Sequence, residues 1–323
     1  MLTTVMYHYV RDLKHSRYPR IKGLDVALFR EQVAYLKKHY TCVSVDDVVD
    51  AARTGAALPE DAALLTFDDG YSDHFDFVFP ILKKEKISGA FFPPVSAVRE
   101  HKVLDVNKIH FVLAGTPEEK MGALLGEVRT AVERAREEFG LKSFEALWAE
   151  YASPNRFDSA EVSFIKRLLQ FVLPEVLRSR IATELFEKVT GVDESIFSRE
   201  LYLSEEQMSC MIDGGMHFGC HGVGHYWLGS LSAEKQRSEI EGAFSFLDEL
   251  PKQNCRSIAY PFGDYDSRTS AILKSVGCDI GFTTRVGVGF EDGISWEEML
   301  VLPRFDTNDL PKDRNAKFER KGR

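Results

Sequence analysis

Thr66-Phe67-Asp68-Asp69-Gly70 places two adjacent carboxylates after the apolar run Ala62–Leu65. Far along the chain, His221-Gly222-Val223-Gly224-His225 places two imidazoles four residues apart after the run Met216–Cys220. A borderline divalent ion such as zinc takes a few nitrogen and oxygen donors and, where it is catalytic, keeps a position open for water. One carboxylate and two imidazoles make such a set, leaving the second carboxylate free to act as a base on the bound water. Each motif is weak alone, since acidic turns ending in glycine are common. Two carboxylates directly after a buried strand are nevertheless costly to hold together unless a cation or proton compensates. His217 and Cys220 read as structural, because strand alternation turns Cys220 away from the direction of His221.

The elements that must position these groups follow from the pattern on either side. From residue 1 to about 100, and again from about 200 to 305, short apolar runs alternate with helical patterns, as in βα units. Leu2 to Met6, Leu64 to Phe67, Gly89 to Phe92, Met216 to Cys220, Ser257 to Tyr260 and Ile280 to Thr283 are the expected strands. Phe29, Val33 and Leu36 mark a helix face after the N-cap candidate Asp25, and Ser44 with Asp47 opens the next helix as a capping box. Ile240, Ala243, Phe244 and Leu247 mark a later helix. Four suspect segments then share one setting: Asp68-Asp69, His221, Pro261-Phe262-Gly263 and His8 each follow a strand. In a βα barrel such positions converge on one rim, where catalysis sits.

The middle of the chain is different. From about 105 to 200 it reads as helical throughout, with Thr116-Pro117-Glu118-Glu119 as a helix start and Met121, Leu124, Leu125, Val128, Val132, Ala135 and Phe139 on one stripe. Asp158 and Glu161 are expected to cap a further helix, and Pro174 to break or restart it. The reading is therefore a barrel over 1–104 and 201–311, a helical insertion over 105–200 and a polar tail over 312–323. The stripes suit a small core of the insertion's own; the other reading is a surface that binds a partner, covers substrate or makes an oligomer contact.

Of 323 residues, 44% are hydrophobic and 28% charged, ordinary globular values. A formal net charge of -9 offers no footprint for nucleic acid. The five cysteines are scattered, odd in number and without a Cys-x-x-Cys pair, which argues against a disulfide framework and for a reducing compartment. Met1 to His8 reads as a strand rather than a signal peptide, and no apolar run approaches membrane-spanning length. A cytoplasmic location is expected.

Thr66 to Gly70, His221 to His225 with Leu228 and Leu231-Ser232 beyond, and Tyr260-Pro261-Phe262-Gly263 together resemble the polysaccharide deacetylases of carbohydrate esterase family four. The resemblance spans roughly residues 1 to 100 and 200 to 305. It implies an α/β fold, a distorted (β/α) barrel with fewer than eight strands, and metal-dependent removal of acetyl groups from N-acetylated sugars by a metal-bound water. It also implies a divalent ion, zinc first, on Asp69, His221 and His225, with Asp68 as base. Tyr260, Pro261 and Phe262 would then lie at the oxyanion and substrate.

The sequence departs from the commonest family pattern in three places. Ala259 stands where an arginine usually orients the base; Arg304 is the candidate replacement, and Arg256, before the strand, the poorer one. Phe262 replaces a frequent tyrosine, which costs little if that position contributes its backbone N–H. No Leu-x-His motif appears near the C-terminal end. Tyr7-His8 resembles the rearranged branch that deacetylates poly-N-acetylglucosamine, so His8 becomes the general-acid candidate; the alternative is a strand-end histidine satisfied by a backbone carbonyl. Two other readings are a sugar deformylase acting on a lipid- or nucleotide-linked intermediate, and a non-catalytic carbohydrate-binding relative.

Overall fold

The computed structural model describes residues 1–155, 158–290 and 294–316. Ten strands run through them: β1 Leu2–Tyr7, β2 Val10–Arg11, β3 Leu24–Asp25, β4 Thr41–Cys42, β5 Ala62–Asp68, β6 Gly89–Phe92, β7 His217–Phe218, β8 Ser257–Ala259, β9 Ile280–Phe282 and β10 Phe305–Asp306. All paired neighbours are parallel, in the order β10-β1-β5-β6-β7, with β4 on the start of β5. A separate β8-β9 pair continues the ring. Cys220 bridges to Ile258 and Phe282 bridges to Leu302, and the chain from Leu302 runs straight into β10 beside β1. The sheet thus closes on itself as a distorted barrel, which leaves no long unpaired edge.

Alternation along the strands assigns each side chain to a face. Ala63, Leu65 and Phe67 of β5 join Val5, Tyr7, Phe91 and Phe218 in the large cluster under the helices. Ala62 and Leu64 join Leu2, Phe92, Ala259, Phe282 and Leu302 in a second, interior cluster. The interior parity of β5 continues through Thr66 to Asp68. The same parity takes β1 from Leu2 to His8, and the last segment from Leu302 to Arg304. Along these three segments the interior is therefore apolar at the start and ionisable at the end.

Helix starts follow local chemistry. Asp25 caps Val26–His39, and Ser44 with Asp47 makes the expected capping box on Val45–Thr54. Two expected caps are corrected. The Thr116 hydroxyl donates back to the Val112 carbonyl at 2.7 Å, closing the helix Asp105–Gly115 rather than opening the next one. Ser159, not Asp158, caps Ala160–Arg167; Asp158 instead takes Lys22 and Lys166. Both residues are competent caps one position apart, and the cation partners of Asp158 decide between them.

The chain divides into two compact units. One comprises Met1–Asp12, Gly23–Lys102 and Ser198–Arg323, and the other Leu13–Lys22 and Val103–Phe197. The second unit therefore also takes in Leu13–Lys22, Val103 and Leu104, which the sequence reading left with the barrel. It contains no strand among its described residues and packs its own aromatic core, with Phe111 and Phe186 edge-on to Phe197. Its helix restarts at Glu175 after Pro174. Of the expected tail, 317–323 lie outside the described residues. No helix among the described residues is long and apolar enough to cross a membrane.

Candidate active site

Asp69, His221 and His225 meet at the C-terminal rim of the barrel. Asp69 leaves β5 in the left-handed region (φ 69°), followed by Gly70 at φ 67°. A side chain at position 70 would collide with Pro93, its Cβ 2.4 Å from that ring, so glycine is required there. His225 and Phe262 also adopt left-handed backbone, both at φ 58°. Such conformations cost roughly 1–3 kcal/mol each for non-glycine residues and cluster where function needs a side chain aimed against local preference.

The His221 and His225 Nε2 atoms lie 3.5 and 3.4 Å from Asp69 Oδ1. That oxygen is buried and makes no hydrogen bond among the described residues. A buried carboxylate oxygen without a donor is costly unless a cation completes it. Donors held about 2.0–2.2 Å from a tetrahedral ion stand roughly 3.3–3.6 Å apart, so these spacings fit zinc-sized coordination. The surroundings fit as well. The other Asp69 oxygen accepts from the Tyr71 hydroxyl at 2.5 Å. His221 Nδ1 sits 2.6 Å from the Ala259 carbonyl, which fixes its N–H there and leaves Nε2 as the lone-pair donor. Burial pushes His225 down to about 3, so its imidazole is neutral.

The loop carrying the two histidines is pinned from both sides. Glu239 accepts from the Val223 and Gly224 N–H groups at 2.8 and 2.7 Å, and the Ser96 N–H donates to the Val223 carbonyl. Glu239 is a buried carboxylate on the apolar face of the helix Ala233–Leu247. That misplacement was the only sequence signal for it. Tyr71, two residues after Asp69, had no signal beyond proximity.

Asp68 faces Arg304, whose Nη1 and Nη2 donate to its two oxygens at 2.8 and 2.7 Å. Arg304 is wholly buried; its Nε also donates to the Thr283 carbonyl and its Nη1 to the Thr66 hydroxyl. Burial would raise the Asp68 carboxyl, but the Arg304 charge outweighs it and lowers it. Arg256 lies elsewhere, bonded to Val276 and Asp248. His8 follows β1, and its carbonyl lies 2.9 Å from His74 Nε2 of a wholly buried ring.

Pro261–Gly263 forms a single turn. The Phe262 ring stands 4.7 Å from His225 and stacks on Trp227 at 4.4 Å and 4°. Gly263 closes that turn at φ 73°, and a Cβ there would fall 2.1 Å from Thr284 Oγ1. Tyr260, by contrast, buries its ring against Tyr265 and donates its hydroxyl to the Leu300 carbonyl at 2.8 Å, so its side chain serves the core.

Known proteins share this architecture. The deacetylase PplD of Streptococcus pyogenes, solved with acetate, superposes with a TM-score of 0.57 at 18% identity, covering 94% of this chain and 91% of that one. IcaB from Ammonifex degensii superposes at 0.55 and 19% identity, covering 94% and 90%. Eighty residues are 39% identical to the poly-β-1,6-N-acetyl-D-glucosamine N-deacetylase of Escherichia coli K12, a match spanning 24% of this chain and only 12% of that enzyme. The pattern of the polysaccharide deacetylase family matches residues 55–159 and 180–281, more than half of the chain and both motifs that meet at the rim, and the chain belongs to that family.

Proposed function

We propose that this chain hydrolyses the N-acetyl group of amino sugars with a divalent ion, zinc first, held by Asp69, His221 and His225. The observation that carries the reading is one rim bearing both this three-donor cluster and the buried Asp68–Arg304 pair. The Escherichia coli relative is named for N-deacetylation of a polymeric N-acetylglucosamine, and His8 at the end of β1 suits that branch. A reducing, cytoplasmic setting accords with five free cysteines.

When bound, the ion supplies Lewis acidity toward water and the acyl oxygen. Asp68 accepts the proton of the attacking water, and Arg304 keeps that carboxylate ionised and aimed. The Phe262 N–H, presented by the left-handed turn, donates to the acyl oxygen as negative charge grows there; one such donor is worth about 3–4 kcal/mol. His8 gives its proton to the departing nitrogen as the C–N bond breaks, releasing acetate and the free amine. Tyr71 holds one Asp69 oxygen so that the other stays free for the ion.

The test is acetate release from nucleotide-linked, lipid-linked and oligomeric N-acetylhexosamines with zinc supplied, and formate release from N-formyl analogues in parallel. Acetate release that is lost in Asp68→Asn while bound metal is retained is the expected result. Metal-loaded protein that releases no acetate from any of them would overturn the reading.

A further inference from the structure

We propose that Asp46, His217 and Cys255 form a second metal site, at the barrel mouth opposite the first, which takes a borderline divalent cation such as zinc on carboxylate, imidazole and thiolate. His217 and His221 share one face of the same segment. Gly219 between them points inward, since a Cβ there would lie 2.2 Å from Ser257 Oγ and 2.4 Å from the Phe92 ring. Four residues of extended chain span about 13 Å, so one imidazole stands at each mouth. His221 serves the rim already described. His217 stands at the start of β7, beside Ser257 at the start of β8.

Donor atoms of Asp46, His217 and Cys255 all lie within 4.8 Å of one another. His217 and Cys255 are buried and Asp46 is half-buried. They come from three distant segments: the first turn of the helix Val45–Thr54, β7, and the loop before β8. Sulfur and imidazole together favour zinc, cobalt or copper over magnesium or calcium. The Cys255 thiol donates to Asp46 Oδ1 at 3.2 Å. A cation would take the place of that thiol proton, which leaves to solvent as the thiolate forms. The supporting shell is present too. Asn254 Nδ2 donates to Asp46 Oδ2 at 2.8 Å, and Ser257 Oγ holds His217 Nε2 at 2.7 Å, as hydrogen-bonded neighbours orient metal-bound carboxylates and imidazoles.

The rim site has no sulfur ligand, so cobalt separates the two. Metal-free full-length protein is titrated with Co²⁺ and followed by stoichiometry and by the near-ultraviolet sulfur-to-cobalt charge-transfer band. The expected result is two equivalents with the band in the unaltered chain. Cys255→Ser and His217→Gln should each lose one equivalent, Cys255→Ser abolishing the band. Asp69→Asn should lose one equivalent and keep the band. A single equivalent without a sulfur band would overturn the second site and leave the rim reading standing. A band that survives Cys255→Ser would overturn it as well. Should Cys255→Ser fail to fold, an unchanged band and stoichiometry in His217→Gln would overturn it on its own.

Discussion

Replacing Arg304 with methionine removes the guanidinium while keeping much of its length and apolar stem. The residue is wholly buried and Asp68 nearly so, and the two share a bidentate pair of 2.7 and 2.8 Å contacts. Arg304→Met therefore leaves a buried carboxylate without its bidentate partner. Removing one partner of a buried pair costs about 3–5 kcal/mol. Asp68→Asn strands the opposite charge, although the Thr283 carbonyl and Thr66 hydroxyl still take part of it. The double variant holds no unpaired charge, so its loss should fall short of the sum by about 2–3 kcal/mol. Urea unfolding of metal-free protein measures these values at neutral pH. Of the three tryptophans, Trp227 and Trp296 lie in the barrel unit and Trp148 in the helical one. A Trp148→Phe background thus reports the barrel's own transition. A loss under about 1 kcal/mol for Arg304→Met, or strict additivity in the double variant, would refute the reasoning that this ion pair replaces the missing arginine at Ala259.

His8→Ala should retain bound metal and lose about 10²–10⁴-fold in kcat, the usual contribution of a positioned general acid; an undiminished rate removes His8 from the mechanism. Gly263→Ala forces a Cβ onto Thr284 Oγ1 at a left-handed position. It should cost at least about 1–2 kcal/mol in unfolding free energy and displace the Phe262 turn, lowering kcat at least tenfold; unchanged stability and rate would show the turn is not the oxyanion donor. His74 is wholly buried, and burial pushes its imidazole from 6.5 down to about 4. The unfolded chain therefore binds this proton between about pH 6.5 and 4 while the folded chain does not. Folding stability should be fully present above about pH 6.5 and fall as pH drops through that window, by roughly 3 kcal/mol at its lower end. His74→Gln should lose this share of the acid sensitivity in unfolding measured across pH, and parallel pH profiles for the two proteins would refute it.

The sequence was most legible where signals are local. Apolar runs followed by charged or imidazole residues mark strand ends in a parallel sheet, so Asp68, Asp69, His221 and His8 could be placed on one rim before any coordinates. Capping boxes such as Ser44 with Asp47 are equally local. Legibility fell where neighbours compete for one role, as with Asp158 and Ser159. It failed where a contact joins distant segments with no motif to announce it, as when Glu239 takes the Val223 and Gly224 N–H groups. Arg304, the candidate named from the sequence, reaches Asp68 from the residue just before the two-residue strand β10.

By itself, then, the sequence determined the donor types, their strand-end positions and the family they resemble, because residue type and alternation are properties of short segments. Only the tertiary structure decided which arginine meets the base, that the Tyr260 hydroxyl serves Leu300, that Glu239 holds the histidine loop and that His217 shares a face with His221. Those outcomes depend on ring closure and on which face each strand turns inward. Both are set by packing and hydrogen bonds between segments that the linear order leaves far apart.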